Sequence, residues 1–135
     1  MDTYVTYNSE YKVLICRQHK HAIPPDYIPR HFRESHQGIP LATRQAICDY
    51  SKSLELAGLE EVSTPHEEVQ PVHGLHITEG FRCEFDECSE LRSTDISMKQ
   101  HCWEAHKWVA AMGIKWKVQL IQTIFAGKHS KYVPL

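Results

Sequence analysis

Four residues in the second half of the chain constrain its fold more than any other feature: Cys83-x4-Cys88-x12-His101-x4-His106. Two thiols on a short knuckle followed by two imidazoles match the donor set and spacing of a two-cysteine, two-histidine zinc site. Each gap has a physical reason. The knuckle lets two thiolates converge on one ion. The long span lets the chain turn and start a helix. The last gap puts both rings on one side of a helix end. The apolar residues such a small unit needs are present: Phe81 two before the first cysteine, Leu91 in the middle and Met98 three before the first histidine. Ser93 or Thr94 is placed to cap the helix, and Asp95 suits its first turn. Cys102 adjoins His101, points elsewhere on a helix and reads as a small packed thiol.

The same device recurs upstream. His31 and His36 stand 70 residues before His101 and His106, and Cys16 stands 67 before Cys83. The second thiol is missing, and two histidines compete for its place. Cys16-x2-His19-x11-His31 keeps the long span near twelve, whereas Cys16-x4-His21 copies the knuckle and shortens the span to nine. His19 is preferred and His21 remains the alternative. One thiolate with three imidazoles is acceptable to zinc, but the smaller thiolate charge makes such a site weaker and more pH-sensitive. The competing account is a degenerate finger held by packing alone.

Between the two motifs, Ile39, Thr43, Ile47, Tyr50, Leu54 and Ala57 recur at three- and four-residue steps, which predicts a helix over 39–59 with Gly58 at its end. Residues 60–74 are acidic and carry two prolines, so they read as a loop, and His66, His73 and His76 lack ligand spacing. The β-branched content of 117–125 favours a strand, with Tyr132–Val133 as a short returning partner. The expected fold is α+β: two zinc-finger-like ββα units joined by a central helix, with a C-terminal strand segment. The divisions are 1–38 for the variant finger, 39–74 for the connecting helix and acidic loop, 75–110 for the second finger and 111–135 for the strand segment, all packed as one compact domain.

The five cysteines are an odd number, the ten histidines are an unusual count, and no run of about 20 apolar residues could span a membrane. The first residues lack the basic start and apolar stretch of a signal peptide. The chain is therefore expected inside the cell, in nucleus or cytoplasm, where thiols stay reduced and favour metal over disulfides. Residues 1–91 carry eight Lys or Arg against fifteen Asp or Glu, and residues 92–135 carry seven against two. The basic C-terminal third could meet phosphate, or could simply be a solvated face.

At this point the residues resemble a known family. YNSEYKVLIC, AIPPDYIPRH, HQGIPL, GLHITEGFRC and MKQHCWEAH are similar, in order and separation, to a fungal family named for protein D of the orsellinic-acid biosynthesis cluster. The resemblance implies two C2H2-like zinc segments, often within larger fungal proteins, and no established activity. It implies ligand roles for Cys16, His31, His36, Cys83, Cys88, His101 and His106, with His19 standing where the family usually has a cysteine. It does not imply that this chain makes a polyketide.

Two structural Zn2+ ions are thus the expected cofactors, held by Cys16, His19, His31 and His36 and by Cys83, Cys88, His101 and His106. Four protein ligands leave a zinc ion no open position, so an interaction module is expected rather than an enzyme. A zinc hydrolase or nuclease would need a three-ligand first site, and no general base stands out beside it. Cys48, on the central helix, is expected to be buried and no nucleophile. Partners are DNA, RNA or a protein; no membrane and no small-molecule substrate is expected. For DNA read in finger fashion, helix positions −1, 3 and 6 would be Thr94, Ser97 and Gln100 in the second unit and Pro24, Tyr27 and Arg30 in the first. Gln100 and Arg30 are the better base readers, although Pro29 removes a helix hydrogen bond or delays the helix start. Lys99, Lys107, Lys115, Lys117, Lys128 and Lys131 would meet phosphate, with Trp108 or Trp116 as stacking surfaces. The 46 residues between His36 and Cys83 argue against contiguous tandem reading.

Overall fold

The computed structural model describes residues 2–127 and 130–135, an α+β arrangement with three α-helices and two antiparallel sheets. It divides into two compact units. One comprises Met1–Ser63, His73–His76 and Ile124–Lys131, and the other Thr64–Val72, Ile77–Thr123 and Tyr132–Leu135. The connecting helix therefore belongs to the first unit, and the C-terminal segment is shared between the two. Lys128, one of the candidate phosphate contacts, lies outside the described residues.

The first unit opens with strands β1 (Val5–Asn8), β2 (Val13–Cys16) and β3 (His21–Ile23), antiparallel in that order. All four residues of β2 are buried, which suits a central strand. Register pairs Val5 with Cys16 and Cys16 with His21. Pro25–Tyr27 forms a 3-10 turn, and α1 (Ile28–Ser35) starts only after it, with Pro29 in the first turn, where its missing N–H costs nothing. The helix start is thus delayed, and Pro24 and Tyr27 precede it. Helix α2 covers Leu41–Lys52, shorter than the expected 39–59. Pro40, at φ −54 and ψ 143, stands outside the helix. At the other end Ala57 N–H donates to the Lys12 carbonyl at 2.8 Å, so the chain has already turned onto β2's loop before Gly58. Leu14, Ile23, Ile28, Phe32 and Ile47 form the core with Val5, Cys16 and Ile39. Each fully buried large side chain contributes about 1.5–3 kcal/mol. Cys48 is half-buried against this core rather than inside it.

In the second unit β4 (Ile77–Cys83) lies between β5 (Leu91–Arg92) and β6 (Trp116–Thr123), and β7 (Tyr132–Pro134) closes the order β5-β4-β6-β7. Phe81 pairs with Arg92 on one side and with Val118 on the other. Gly80 is required there: a Cβ would sit 2.5 Å from Ile121 Cδ1 and 2.8 Å from the Arg92 carbonyl oxygen. Helix α3 (Asp95–His106) is capped by Thr94, whose hydroxyl accepts from Ser97 N–H at 3.1 Å, and ends at Lys107 in the left-handed conformation. Cys83, Met98, Cys102 and Trp116 cluster here, with Phe81, Phe85 and Trp108 against them, and Leu91, Ile121 and Val133 are buried in the same unit. Strand β6 buries Gln119 and Gln122 while Val118 and Leu120 are exposed. The Gln122 amide serves as a strand partner, accepting from Val72 N–H at 2.7 Å and donating to its carbonyl at 2.9 Å. Among the described residues, no helix is long and apolar enough to cross a membrane.

Candidate metal centres

Each unit gathers one group of four thiol and imidazole side chains. Cys16, His19, His31 and His36 form the first, Cys83, Cys88, His101 and His106 the second, and within each group the ligand atoms lie within 4.8 Å of one another. The local causes are parallel. Cys16 ends β2 and Cys83 ends β4. Four residues past each cysteine the backbone turns left-handed, at Lys20 (φ 60) and Glu87 (φ 62). In each unit a helix then returns a histidine from its face, His31 or His101, and one from its end, His36 just beyond α1 or His106 closing α3.

The distances fit a tetrahedral ion. Metal–sulfur bonds of about 2.3 Å and metal–nitrogen bonds of about 2.0–2.1 Å require S···N edges of about 3.5 Å and N···N edges of about 3.3 Å. In the second cluster, Cys83 Sγ lies 3.5 Å from His106 Nε2 and Cys88 Sγ 3.3 Å from His101 Nε2. In the first, Cys16 Sγ lies 3.5 Å from His19 Nδ1 and 3.4 Å from His36 Nε2, with 3.0 Å between the Nε2 atoms of His36 and His31. The donor chemistry suits borderline-soft zinc.

The two histidines that competed for one position are placed differently. His19 enters the four through Nδ1, whereas His21 donates its Nδ1–H to the Ala22 carbonyl at 3.0 Å and stacks on His19 with centroids 5.8 Å apart.

Burial tunes both groups toward metal. It pushes the Cys83 thiol up to about 12, an effect the neighbouring Cys88 and Cys102 sulfurs add to and the Phe85 backbone opposes. A bare buried thiolate is thus disfavoured, and a divalent cation removes that penalty. Burial lowers His31 to about 4, with His36, His19 and His21 adding repulsion, and it lowers His36 with help from His19. Both rings are therefore neutral at pH 7, the form that ligates. Burial also lowers His101, against the pull of Glu90, whose Oε2 lies 3.8 Å from His101 Nδ1. A carboxylate behind the non-ligating nitrogen is the usual outer partner of a metal-bound histidine. Cys102 is fully buried, as a packed thiol should be.

Arg30 Nε donates to Glu34 Oε1 at 3.0 Å with its guanidinium over Tyr27, Gln100 Nε2 donates to Glu104 Oε1 at 3.1 Å, and Lys99 lies 3.7 Å from Asp95. Lys107, Lys115 and Lys117 are exposed, and Lys131 Nζ donates to the Val62 carbonyl at 2.5 Å. Trp116 is buried and packs edge-on against the half-buried Trp108 at 5.1 Å, so Trp116 is not available as a stacking surface. Trp103, which the sequence reading passed over, is the exposed tryptophan, at 63%. Its position opposite Met98 and Cys102 on α3 would have revealed it. Also missed were Arg17, Lys20 and His73, which surround a cavity.

Residues 3–107 match the family model described as "Orsellinic acid/F9775 biosynthesis cluster protein D". A curated protein of that name from Emericella nidulans is 31% identical over 126 residues, covering 93% of this chain and 24% of the relative. The chain thus spans about a quarter of the length of the curated relative it matches. No solved structure matches it.

Proposed function

The chain belongs to the family of the orsellinic acid/F9775 biosynthesis cluster protein D, and from that premise we propose that it is a non-enzymatic interaction module built on two structural zinc ions. The carrying observation is that each group supplies four protein ligand atoms within 4.8 Å. Four ligands close a tetrahedral ion and leave no position for an activated water. Each unit then works as a variant of the ββα finger, β2, β3 and α1 in the first and β4, β5 and α3 in the second, and each ion joins a strand end to a helix end. The five cysteines, all free of disulfides, suit a reducing compartment inside the cell.

Metal content tests this reading. Elemental analysis of purified protein is expected to find two zinc ions per chain. Cobalt substitution is expected to produce two distinct sulfur-to-metal absorption bands, one for a single thiolate and one for a pair. A folded chain free of metal overturns the reading.

One observation favours a protein as the partner. Val109, Ala110, Ala111, Met112, Gly113 and Ile114 are all exposed, with Ile114 at 75%. Trp108 holds this run in place, its Nε1–H donating to the Gly113 carbonyl at 2.7 Å. An exposed apolar run on an ordered base is a docking feature. Finger-type base reading has less support, because Arg30 and Gln100 are already engaged by carboxylates of their own helices.

A further inference from the structure

Arg17 and Lys20 lie in the turn that follows Cys16, and the metal cluster uses neither. That turn buries the Cys16 thiol, brings the exposed His19 ring to the cluster, and leaves Arg17 and Lys20 exposed as well. It is closed by Lys20 N–H donating to the Cys16 carbonyl at 2.8 Å. The segment His73–His76 of the same unit crosses it, tied by His76 N–H donating to the Lys20 carbonyl at 2.9 Å. Between them lies a cavity of about 270 Å³ lined by Arg17, Lys20, His73, Gly74 and Leu75. Leu75 is buried and gives it an apolar floor. Gly74, at φ 93, brings backbone rather than a side chain to the wall, over Ile15.

The charge of this lining is one-sided. It offers a guanidinium, an ammonium and an imidazole, and no carboxylate. One Arg17 N–H goes to the Asp2 carbonyl. Among the described residues neither Arg17 nor Lys20 takes part in an ion pair. Arg30 and Lys99, by contrast, each face a carboxylate of their own helix. A fork of donors beside a second cation in a concave site is the arrangement that holds a phosphate group.

We propose that this cavity is a phosphate-binding site, in which Arg17 grips two oxygens, Lys20 supplies a second charge and His73 a further donor. It rests on the reading that the first cluster holds an ion, because that ion would fix the turn carrying both Arg17 and Lys20. The phosphate belongs either to a small phosphorylated molecule or to a nucleic-acid backbone.

The test uses metal-loaded protein with two probes, inorganic pyrophosphate by calorimetry and a single-stranded RNA dodecamer by fluorescence anisotropy. At least one probe is expected to bind, and to bind more weakly as salt rises. Arg17→Glu/Lys20→Glu is expected to weaken it by about tenfold or more, the loss of two charge-assisted contacts. Arg17→Gln/Lys20→Gln serves if charge reversal disturbs folding. Lys115→Glu/Lys117→Glu is expected to leave binding by the favoured probe within about twofold. Pyrophosphate preference marks the small molecule and RNA preference the backbone, and either supports the site. A protein with two ions that ignores both probes overturns it, as does equal loss from the Lys115/Lys117 pair. Metal content is read separately, so a metal-free folded chain overturns the zinc reading instead.

Discussion

The two units combine metal and core in opposite proportions. The first surrounds one thiol and three imidazoles with a core that includes Leu14, Ile28, Phe32 and Ile47, each at 1% exposure or less. The second sets two thiols and two imidazoles against a smaller cluster, Cys83, Met98, Cys102 and Trp116, while Ile121 and Val133 are buried in the same unit. A zinc ion with one thiolate keeps a net positive charge; with two it is neutral and better suited to burial. The first cluster also exposes a ligand, His19. The comparison teaches that the cluster with the smaller thiolate charge is the one packed against the larger apolar cluster.

Chelation probes that difference most strongly. Structural zinc contributes roughly 10–16 kcal/mol of apparent binding energy in small finger peptides. Removing both ions is expected to erase amide protection in the second unit and to leave residual protection around Leu14 and Ile47 in the first, read by hydrogen exchange. Equal collapse of the two units would break the comparison. A mild chelator is expected to extract the first ion before the second, because His19 is open to solvent.

Cys83→Ser is expected to lose one ion per chain and unfold the second unit, whereas Cys48→Ser shifts stability by about 1 kcal/mol. Equal effects on denaturation would count against the second centre. Next in size, Phe32→Ala is expected to cost about 3–5 kcal/mol in the first unit while two-ion stoichiometry persists.

His19→Ala is expected to weaken the first ion clearly more than His21→Ala, by competition with a chromophoric chelator. The reverse order would reinstate His21. The first unit also carries an acid weakness. His31 is held at about 4 against an ordinary 6.5, so between those values the unfolded chain binds more protons than the folded one. Stability of the metal-free first unit is therefore expected to fall as pH drops through that window and to level off below it. The smallest effect is Thr94→Ala, which removes the cap of α3 for about 1 kcal/mol, seen as a lower thermal midpoint.

Legibility in the sequence followed locality. The α+β class, a cap of α3 at Ser93 or Thr94 and the strand at β6 were readable, because they depend largely on near neighbours, and the structure places the cap at Thr94. The early end of α2 was not, because a distant carbonyl, that of Lys12, takes the Ala57 N–H. Nor was the inverted face of β6. Alternation says nothing of Gln119 and Gln122 turning inward, which is affordable only because Val72, Leu135 and Arg82 supply their hydrogen bonds.

Donor type and spacing are covalent properties, so the chain by itself determined that two groups of thiol and imidazole could form and which helix ends would carry their histidines. Only the tertiary structure shows that His19, and not His21, is grouped with Cys16, His31 and His36. By turn position His21 matches Cys88, since each follows the left-handed residue of its knuckle. An imidazole is longer than a thiol, however, and the ring that reaches Cys16 and His36 is the one from inside the turn. The meeting of Arg17, Lys20 and His73 was likewise decided in three dimensions, because more than fifty residues separate the turn from the segment that crosses it.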